Sequence, residues 1–248
     1  MRYFLDISYI GTGYAGWQIQ KNAIGIQQVL NEKLSVLLRE SITCFASGRT
    51  DAGVHAVQQI VQFDTELEIN AYSWLPKLNS LLPKDVVANS VVRVINEASA
   101  RFGAISRTYH YKISQKRNPF LIERALFIYK ELDINKINEA AKQLLLHTDF
   151  ESFSKVHTDV NHFHCTITEA NLNQEQDILL FTIKANRFLR GMVRTIVGTL
   201  IDVGLNKTSL QDFENIILKR DRKLAGQSVS ADGLYLFKVE YPESVYKI

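Results

Sequence analysis

The chain has 248 residues, of which 46% are hydrophobic and 22% charged, and its formal net charge is +3. These totals are typical of a soluble globular protein with one large domain or two domains of ordinary size. No apolar run approaches the ~20 residues that cross a bilayer, and two cysteines are too few for a disulfide framework. We therefore exclude a membrane-spanning protein and expect a cytoplasmic one with reduced thiols and no membrane partner.

Apolar residues in the first part of the chain recur with the spacing of either strands or helices. In chain order they predict a strand at 2–10, a helix at 26–39, strands at 42–46 and 57–63, a helix at 70–81 and a strand at 85–95. This β-α-β-β-α-β order is that of the split unit of a ferredoxin-like domain. We expect this first domain to occupy residues 1–97.

The remaining residues, 98–248, predict a second domain with a related order of elements. The pattern indicates strands at 107–114, 125–130, 162–170, 178–185 and 234–240, a helix capped by Asp133, a long helix at 188–203 and another beginning at 208–209. Two α+β domains with antiparallel sheets are the simplest interpretation.

Residues 11–16 read GTGYAG, which has the G-x-G-x-x-G spacing of a dinucleotide-binding loop. Such a loop must lead directly into a helix, so that the phosphate meets the helix N-terminus. Here WQIQKNAIG separates the glycines from the first helical periodicity, and the nearest acids, Glu32 and Glu40, belong to that helix or its end. We therefore expect no nucleotide cofactor and interpret the glycines as a turn that folds Trp17 back over the sheet.

The stretch SGRTDAGVHA, residues 47–56, places an arginine, an aspartate and a histidine around two glycines at a strand-to-strand connection. Glycines permit the tight or left-handed backbone that can hold a short acid in place. One interpretation is an ordinary loop with an ion pair between Arg49 and Asp51. The other is a carboxylate nucleophile or base that the guanidinium keeps ionised. The residues alone leave both open.

The segment GRTDAGVHA resembles the signature of tRNA pseudouridine synthases of the TruA type. The resemblance extends along essentially the whole chain, through GTGYAGWQIQ, IQQVLNEKL, ARFGAISRTYHYKI, ANRFLRGMVRTIVGTL and DGLYLFKV. It implies two ferredoxin-like (RNP-like) α/β sandwich domains with antiparallel sheets around a central cleft, acting on tRNA as a homodimer without a cofactor.

The resemblance also assigns roles to residues of this chain. It makes Asp51 the catalytic nucleophile, places Tyr109, the first tyrosine of R-x-Y-x-Y, against the target base, and makes Leu234 part of the pocket wall. We expect Arg49 to contact Asp51 and then a phosphate or the displaced nucleotide. A strand tyrosine and a core leucine are the simpler alternatives for Tyr109 and Leu234.

The implied reaction is isomerisation of uridine at positions 38, 39 and 40 of the tRNA anticodon stem-loop. It breaks the N1–C1′ bond, turns the uracil over and rejoins it through C5. A carboxylate can attack ribose C1′ or uracil C6, or abstract a ribose proton, and the sequence leaves these routes open. Each requires the uridine to leave its stack, at a cost of a few kcal/mol, which stacking on an aromatic side chain offsets by about 1–3 kcal/mol.

Two groups of basic residues could meet the tRNA backbone. In the helix predicted at 188–203, Arg187, Arg190 and Arg194 fall on one narrow face away from an apolar stripe, with no acid among them. We interpret that face as a phosphate-binding one. A second group, Lys219, Arg220, Arg222 and Lys223, is explained almost as well by compensation of a helix dipole.

Three further possibilities compete with the leading hypothesis. His157, His162, His164 and Cys165 could be read as zinc ligands, but their spacing matches no standard pairing, and we predict no metal site. A non-catalytic RNA-binding protein would need the arginines but would have no use for Asp51. A nicotinamide-dependent oxidoreductase would need GTGYAG to bind a dinucleotide.

Overall fold

The computed structural model describes residues 1–155 and 161–247. Within them the elements follow in the order β1 (Arg2–Tyr9), α1 (Ile26–Leu38), β2 (Phe45–Ala46), β3 (His55–Asp64), α2 (Ala71–Leu81), β4 (Val86–Val94), β5 (Ser106–Ser114), β6 (Leu126–Phe127), α3 (Ile134–Gln143), β7 (Ile167–Glu175), β8 (Ile178–Ala185), α4 (Met192–Gly204), α5 (Leu210–Lys219) and β9 (Leu234–Glu240). Most strand pairs are antiparallel, which confirms the predicted α+β class. None of the helices in the described ranges is long and apolar enough to cross a membrane.

The chain divides into two compact units, and the division differs from the predicted boundary at residue 97. The first unit contains Met1–Ser106 together with the chain from Tyr235 onwards, and the second contains Arg107–Leu234. The last strand belongs to the first unit because β9 pairs in parallel with β3, where His55 lies opposite Tyr235. The Ile105 N–H also donates to the carbonyl of Glu240 at 2.8 Å, which ties residues beyond 97 to the same unit.

The first unit contains a sheet, with α2 packed against its strand β4 and against α1. β1 lies between β3 and β4 and is antiparallel to both, and β2 pairs with the far end of β3. Between the sheet and α2, Tyr3 of β1 stacks on Phe63 of β3, and Phe63 stacks on Trp74 of α2, at centroid distances of 5.7 and 6.0 Å. Aromatic pairs of this kind add about 0.5–1.5 kcal/mol each beyond the area they bury.

The second unit has the antiparallel strand order β5-β8-β7, with α3 and α4 packed together. Asp133 caps α3 as predicted, because its carboxylate accepts the N–H of Lys136 at 3.0 Å. β7 begins at Ile167 rather than at residue 162, since the N–H of Cys165 donates to the carbonyl of Thr148 instead of to a neighbouring strand.

The long helix predicted at 188–203 begins later in the structure than the sequence predicts. α4 begins at Met192, and the residue before it, Gly191, has a left-handed φ of 71° that interrupts any helix arriving from Phe188. The apolar stripe is otherwise as predicted, because Met192, Ile196, Leu200 and Val203 are all buried. Arg187 and Arg190 therefore precede the helix, and only Arg194 lies within it.

Both cysteines are buried, and burial sets their reactivity. It raises the pKa of the Cys44 thiol to about 12 and that of the Cys165 thiol to about 11. We expect an aromatic disulfide reagent at about pH 8 to leave both thiols of the native protein unmodified, because burial disfavours the reactive thiolate and covers the sulfur. Unfolding in guanidinium should release both. Rapid modification of the native protein would contradict the burial of these side chains.

Candidate active site

Asp51 lies in the connection between β2 and β3, in a turn that glycine makes tight. The N–H of Val54 donates to the carbonyl of Asp51 at 3.2 Å, and Gly53 takes a left-handed φ of 79° within that turn. The side chain of Asp51 is half-buried, whereas Thr50 and Val54 on either side of the turn are buried. The fold thus anchors the turn on both sides of a half-buried aspartate.

The loop of residues 11–17 packs directly against this turn. The N–H of Trp17 donates to the carbonyl of Thr50 at 3.0 Å, and the N–H of Gly53 donates to the carbonyl of Tyr14 at 3.3 Å. The backbone is therefore held on both sides of Asp51. Tyr14 is itself fixed, because its hydroxyl donates to Oδ1 of Asp85 at 2.7 Å.

Two of the three glycines in GTGYAG are required by this contact. A β-carbon on Gly11 would lie 2.0 Å from the carbonyl oxygen of Val54, and one on Gly16 would lie 2.5 Å from that of Thr50. Gly16 also has a left-handed φ of 88°, whereas a β-carbon on Gly13 would meet nothing within 4 Å. These are backbone contacts within the protein. Residues 17–25 separate the loop from α1, so the geometry of a dinucleotide-binding loop is not met.

Buried polar side chains complete the support of the Asp51 turn. The hydroxyls of Tyr9 and Thr50 are 2.8 Å apart and buried. Nδ1 of His55 accepts the N–H of Gly11 at 3.0 Å, and the imidazole, which is fully buried, stacks on Tyr235 with a centroid distance of 4.6 Å. Because Nδ1 accepts, it carries no proton, and the neutral ring is held in one tautomer.

Sequence reasoning gave Tyr9, Tyr14 and His55 no part in this support. Tyr9 counted only as a strand residue and Tyr14 as a turn residue. The one available signal was that His55 is a polar side chain in the same GRTDAGVHA segment as the proposed acid, just before the strand predicted at 57–63. Arg49 is exposed on the same loop, and its predicted ion pair with Asp51 stays a prediction.

Tyr109 and Leu234 belong to the second unit. Tyr109 is half-buried on β5, where its ring and that of Phe188 form a T-shaped pair with a centroid distance of 5.1 Å and an interplanar angle of 89°. Leu234 is buried, and its N–H donates to the carbonyl of Ala231 at 2.8 Å. Nearby, burial raises the pKa of Tyr111, whose hydroxyl donates to the carbonyl of Ser230 at 2.9 Å.

The three predicted RNA-binding arginines do not form one helical face, because the helix begins after two of them. Arg187 is half-buried, with a guanidinium nitrogen 3.2 Å from Nε2 of His162. Arg190 is exposed, and its carbonyl accepts the N–H of Lys155. Arg194 is half-buried on α4 and donates through Nε to the carbonyl of Val229 at 2.6 Å.

The second basic group is engaged partly in structural contacts. Arg220 ends α5 in a left-handed conformation, and its Nε lies 3.1 Å from a carboxylate oxygen of Asp149. Arg222 donates to the carbonyls of Ala225 and Gly226, both at 3.2 Å. These contacts are made with a carboxylate and with loop carbonyls, so compensation of the helix dipole by this group stays a prediction.

Of the four side chains weighed as zinc ligands, His157 lies outside the described residues. The rings of His162 and His164 stack at a centroid distance of 5.5 Å, and Cys165 is buried. Among the residues that the structure describes, no three histidine, cysteine, aspartate or glutamate side chains are grouped as a metal would require.

Comparisons with known proteins show the family of this chain. The family model described as tRNA pseudouridine synthase matches residues 140–242. The tRNA pseudouridine synthase A of Parabacteroides distasonis is 46% identical over 100% of this chain and 98% of its own. The tRNA pseudouridine synthase A of Bacteroides fragilis is 46% identical over 99% of this chain and 98% of its own length. That of Francisella tularensis subsp. novicida is 37% identical over 99% of this chain and 96% of its own length. The chain belongs to the tRNA pseudouridine synthase family.

Proposed function

We propose that this protein isomerises uridine to pseudouridine at positions 38, 39 and 40 of the tRNA anticodon stem-loop, with Asp51 as the nucleophile. The observation that supports this role most directly is the placement of Asp51, a half-buried short acid in a turn whose backbone is hydrogen-bonded on both sides. Preorganisation of this kind is what a nucleophile needs, because it removes the cost of orienting the group during the reaction.

The proposed reaction needs no oxidant or reductant. The N1–C1′ bond breaks and a C5–C1′ bond forms, the proton on C5 is lost, and N1 gains a proton, so no electrons are transferred. A carboxylate can serve as a nucleophile at C1′ or C6, or as a base at the ribose. The carboxylate of Asp51 can take any of these three roles, and none of them calls for a cofactor.

Tyr109 is the aromatic side chain that we assign to the displaced uracil. Stacking is worth about 1–3 kcal/mol per base and compensates part of the cost of unstacking the nucleotide. The edge contact with Phe188 orients the tyrosine ring while the ring remains half-exposed. We assign Leu234 to the pocket wall and Arg49, which is exposed on the Asp51 loop, to a phosphate or to the nucleotide itself.

We infer that each unit is a ferredoxin-like sandwich. In the first unit the pairing order β4-β1-β3-β2, together with the β-α-β-β-α-β order along the chain, supports this assignment. The central cleft between two such halves, which the family resemblance implies, stays a prediction. So does activity in the cytoplasm.

The homodimer also stays a prediction of the family resemblance. We expect light scattering after size exclusion to give a mass twice that of the chain at micromolar concentration. The mass of a single chain under conditions in which the enzyme is fully active would contradict it.

Replacing Asp51 by Asn tests the nucleophile. We expect pseudouridine formation in unmodified tRNA, mapped by chemical labelling and primer extension, to be abolished while tRNA affinity changes little, because the amide keeps the shape but not the nucleophilic oxygen. Asp64→Asn, at the other end of β3, is the matched control and should keep full turnover. Normal turnover of Asp51→Asn would contradict the assignment.

The same pair of variants separates an enzyme from a non-catalytic RNA-binding protein of the same fold. For a binding protein, wild type and Asp51→Asn would bind tRNA equally and neither would form pseudouridine. For an enzyme, only the wild type and the Asp64→Asn control turn over.

Arg190 is the best test of phosphate binding, because it is exposed outside the helix. We expect Arg190→Glu to weaken tRNA binding and to reduce the slope of log affinity against log salt by about one. Lys142→Glu, which makes the same change of charge at an exposed position of α3, controls for long-range electrostatics. An identical salt slope for wild type and Arg190→Glu would remove Arg190 from the interface.

A further inference from the structure

The two loops of the first unit that meet at Asp51 approach each other more closely than side chains permit. At Gly11 and Gly16 an added β-carbon would fall 2.0 and 2.5 Å from the carbonyl oxygens of Val54 and Thr50, and these are backbone atoms that cannot move aside separately. Real β-carbons essentially never approach an atom to within 3.0 Å. The contact therefore fixes the distance between the loops.

The hydrogen bonds across this contact that hold the turn are made with the backbone of residues on either side of Asp51. Trp17 holds Thr50, the residue before Asp51, and Tyr14 holds Gly53, two residues after it. In the protein interior, the hydroxyls of Tyr9 and Thr50 are hydrogen-bonded to each other. This pattern constrains the position of the aspartate.

His55 connects the two loops at their base. His55 is the first residue of β3, and its backbone pairs with Tyr235 of β9. Its Nδ1 accepts the N–H of Gly11, at the start of the loop of residues 11–17. The ring has no freedom to turn, because it is fully buried and stacked on Tyr235. A neutral imidazole in a fixed tautomer thus sets where residues 11–17 begin.

We propose that Gly11, Tyr14, Gly16 and Trp17 form a clamp on the Asp51 turn, and that His55, by accepting the Gly11 N–H, is a positioning residue for the nucleophile. The proposal rests on the assignment of Asp51 in the proposed function. His55 acts through Gly11 and the turn, without contact with the substrate. A misplacement of about 1 Å in a reacting group can cost about 10²-fold in rate, so a loosened clamp lowers turnover in molecules that are otherwise folded.

The glycine loop contains its own control. We expect Gly16→Ala and Gly11→Ala to reduce the single-turnover rate by about 10²-fold, measured as release of tritium from C5 of labelled uridine in tRNA with enzyme in excess. Gly13→Ala should match wild type, because a β-carbon there meets nothing and its φ is outside the left-handed region. tRNA affinity should stay within a factor of about two in all three, since the clamp holds the nucleophile and not the RNA.

His55 is tested by restoring its acceptor. The side-chain oxygen of Asn occupies nearly the place of Nδ1, so His55→Asn keeps an acceptor for the Gly11 N–H, whereas His55→Leu keeps apolar volume and loses the acceptor. We expect His55→Leu to lose about 10²-fold in single-turnover rate with unchanged tRNA affinity, and His55→Asn to recover at least tenfold of that loss. Circular dichroism and thermal unfolding identify the temperature at which every variant is fully folded, and rates are compared there.

The outcomes separate this proposal from the assignment on which it rests. If Asp51→Asn is inactive but fully folded Gly16→Ala and His55→Leu turn over at the wild-type rate, the clamp has no positioning role. If both His55 variants lose rate equally, the hydrogen bond to Gly11 is not what matters, and the proposal is also overturned. If Asp51→Asn remains active, the nucleophile assignment fails, whatever the clamp variants do.

Discussion

The structure depends on the contact between two backbone segments, the loop of residues 11–17 and the turn that carries Asp51. Hydrogen bonds from Trp17 to Thr50 and from Gly53 to Tyr14 hold the chain on both sides of the acid. The approach is so close that only glycine fits at Gly11 and Gly16. Aspartate suits such a turn because its short side chain loses little additional freedom once the backbone is fixed.

Two buried hydrogen bonds stabilise this contact from within the protein. The hydroxyls of Tyr9 and Thr50 satisfy each other in a buried position, and His55 satisfies a backbone N–H that would otherwise be buried without a partner. Removing one partner of a buried hydrogen bond costs about 1–3 kcal/mol, because the other partner is left unsatisfied. The net gain in stability from forming such a bond is smaller. The two bonds favour one arrangement of the two loops over looser alternatives, which is what positioning a reactive group requires.

A count of basic residues does not tell which of them are engaged in contacts within the protein. Arg194 and Arg222 direct guanidinium nitrogens at backbone carbonyls, and Arg220 lies against Asp149. Arginine is well suited to such contacts, since its planar group offers five donors and cannot lose its charge in a protein. Of the three arginines predicted to face the RNA, Arg190 is the exposed one.

The sequence by itself determined the α+β class, the approximate bounds of most elements and the motif that identifies the family, because strand alternation, helix caps and a nine-residue signature are local properties. It also rejected the dinucleotide loop, since that loop needs a helix immediately after its glycines. Only the tertiary structure decided what the glycines do, which unit the last strand joins, and that α4 starts at Met192. These depend on a left-handed glycine and on contacts between residues far apart in the chain, such as Gly11 with His55 or His55 with Tyr235, and periodicity carries no information about them.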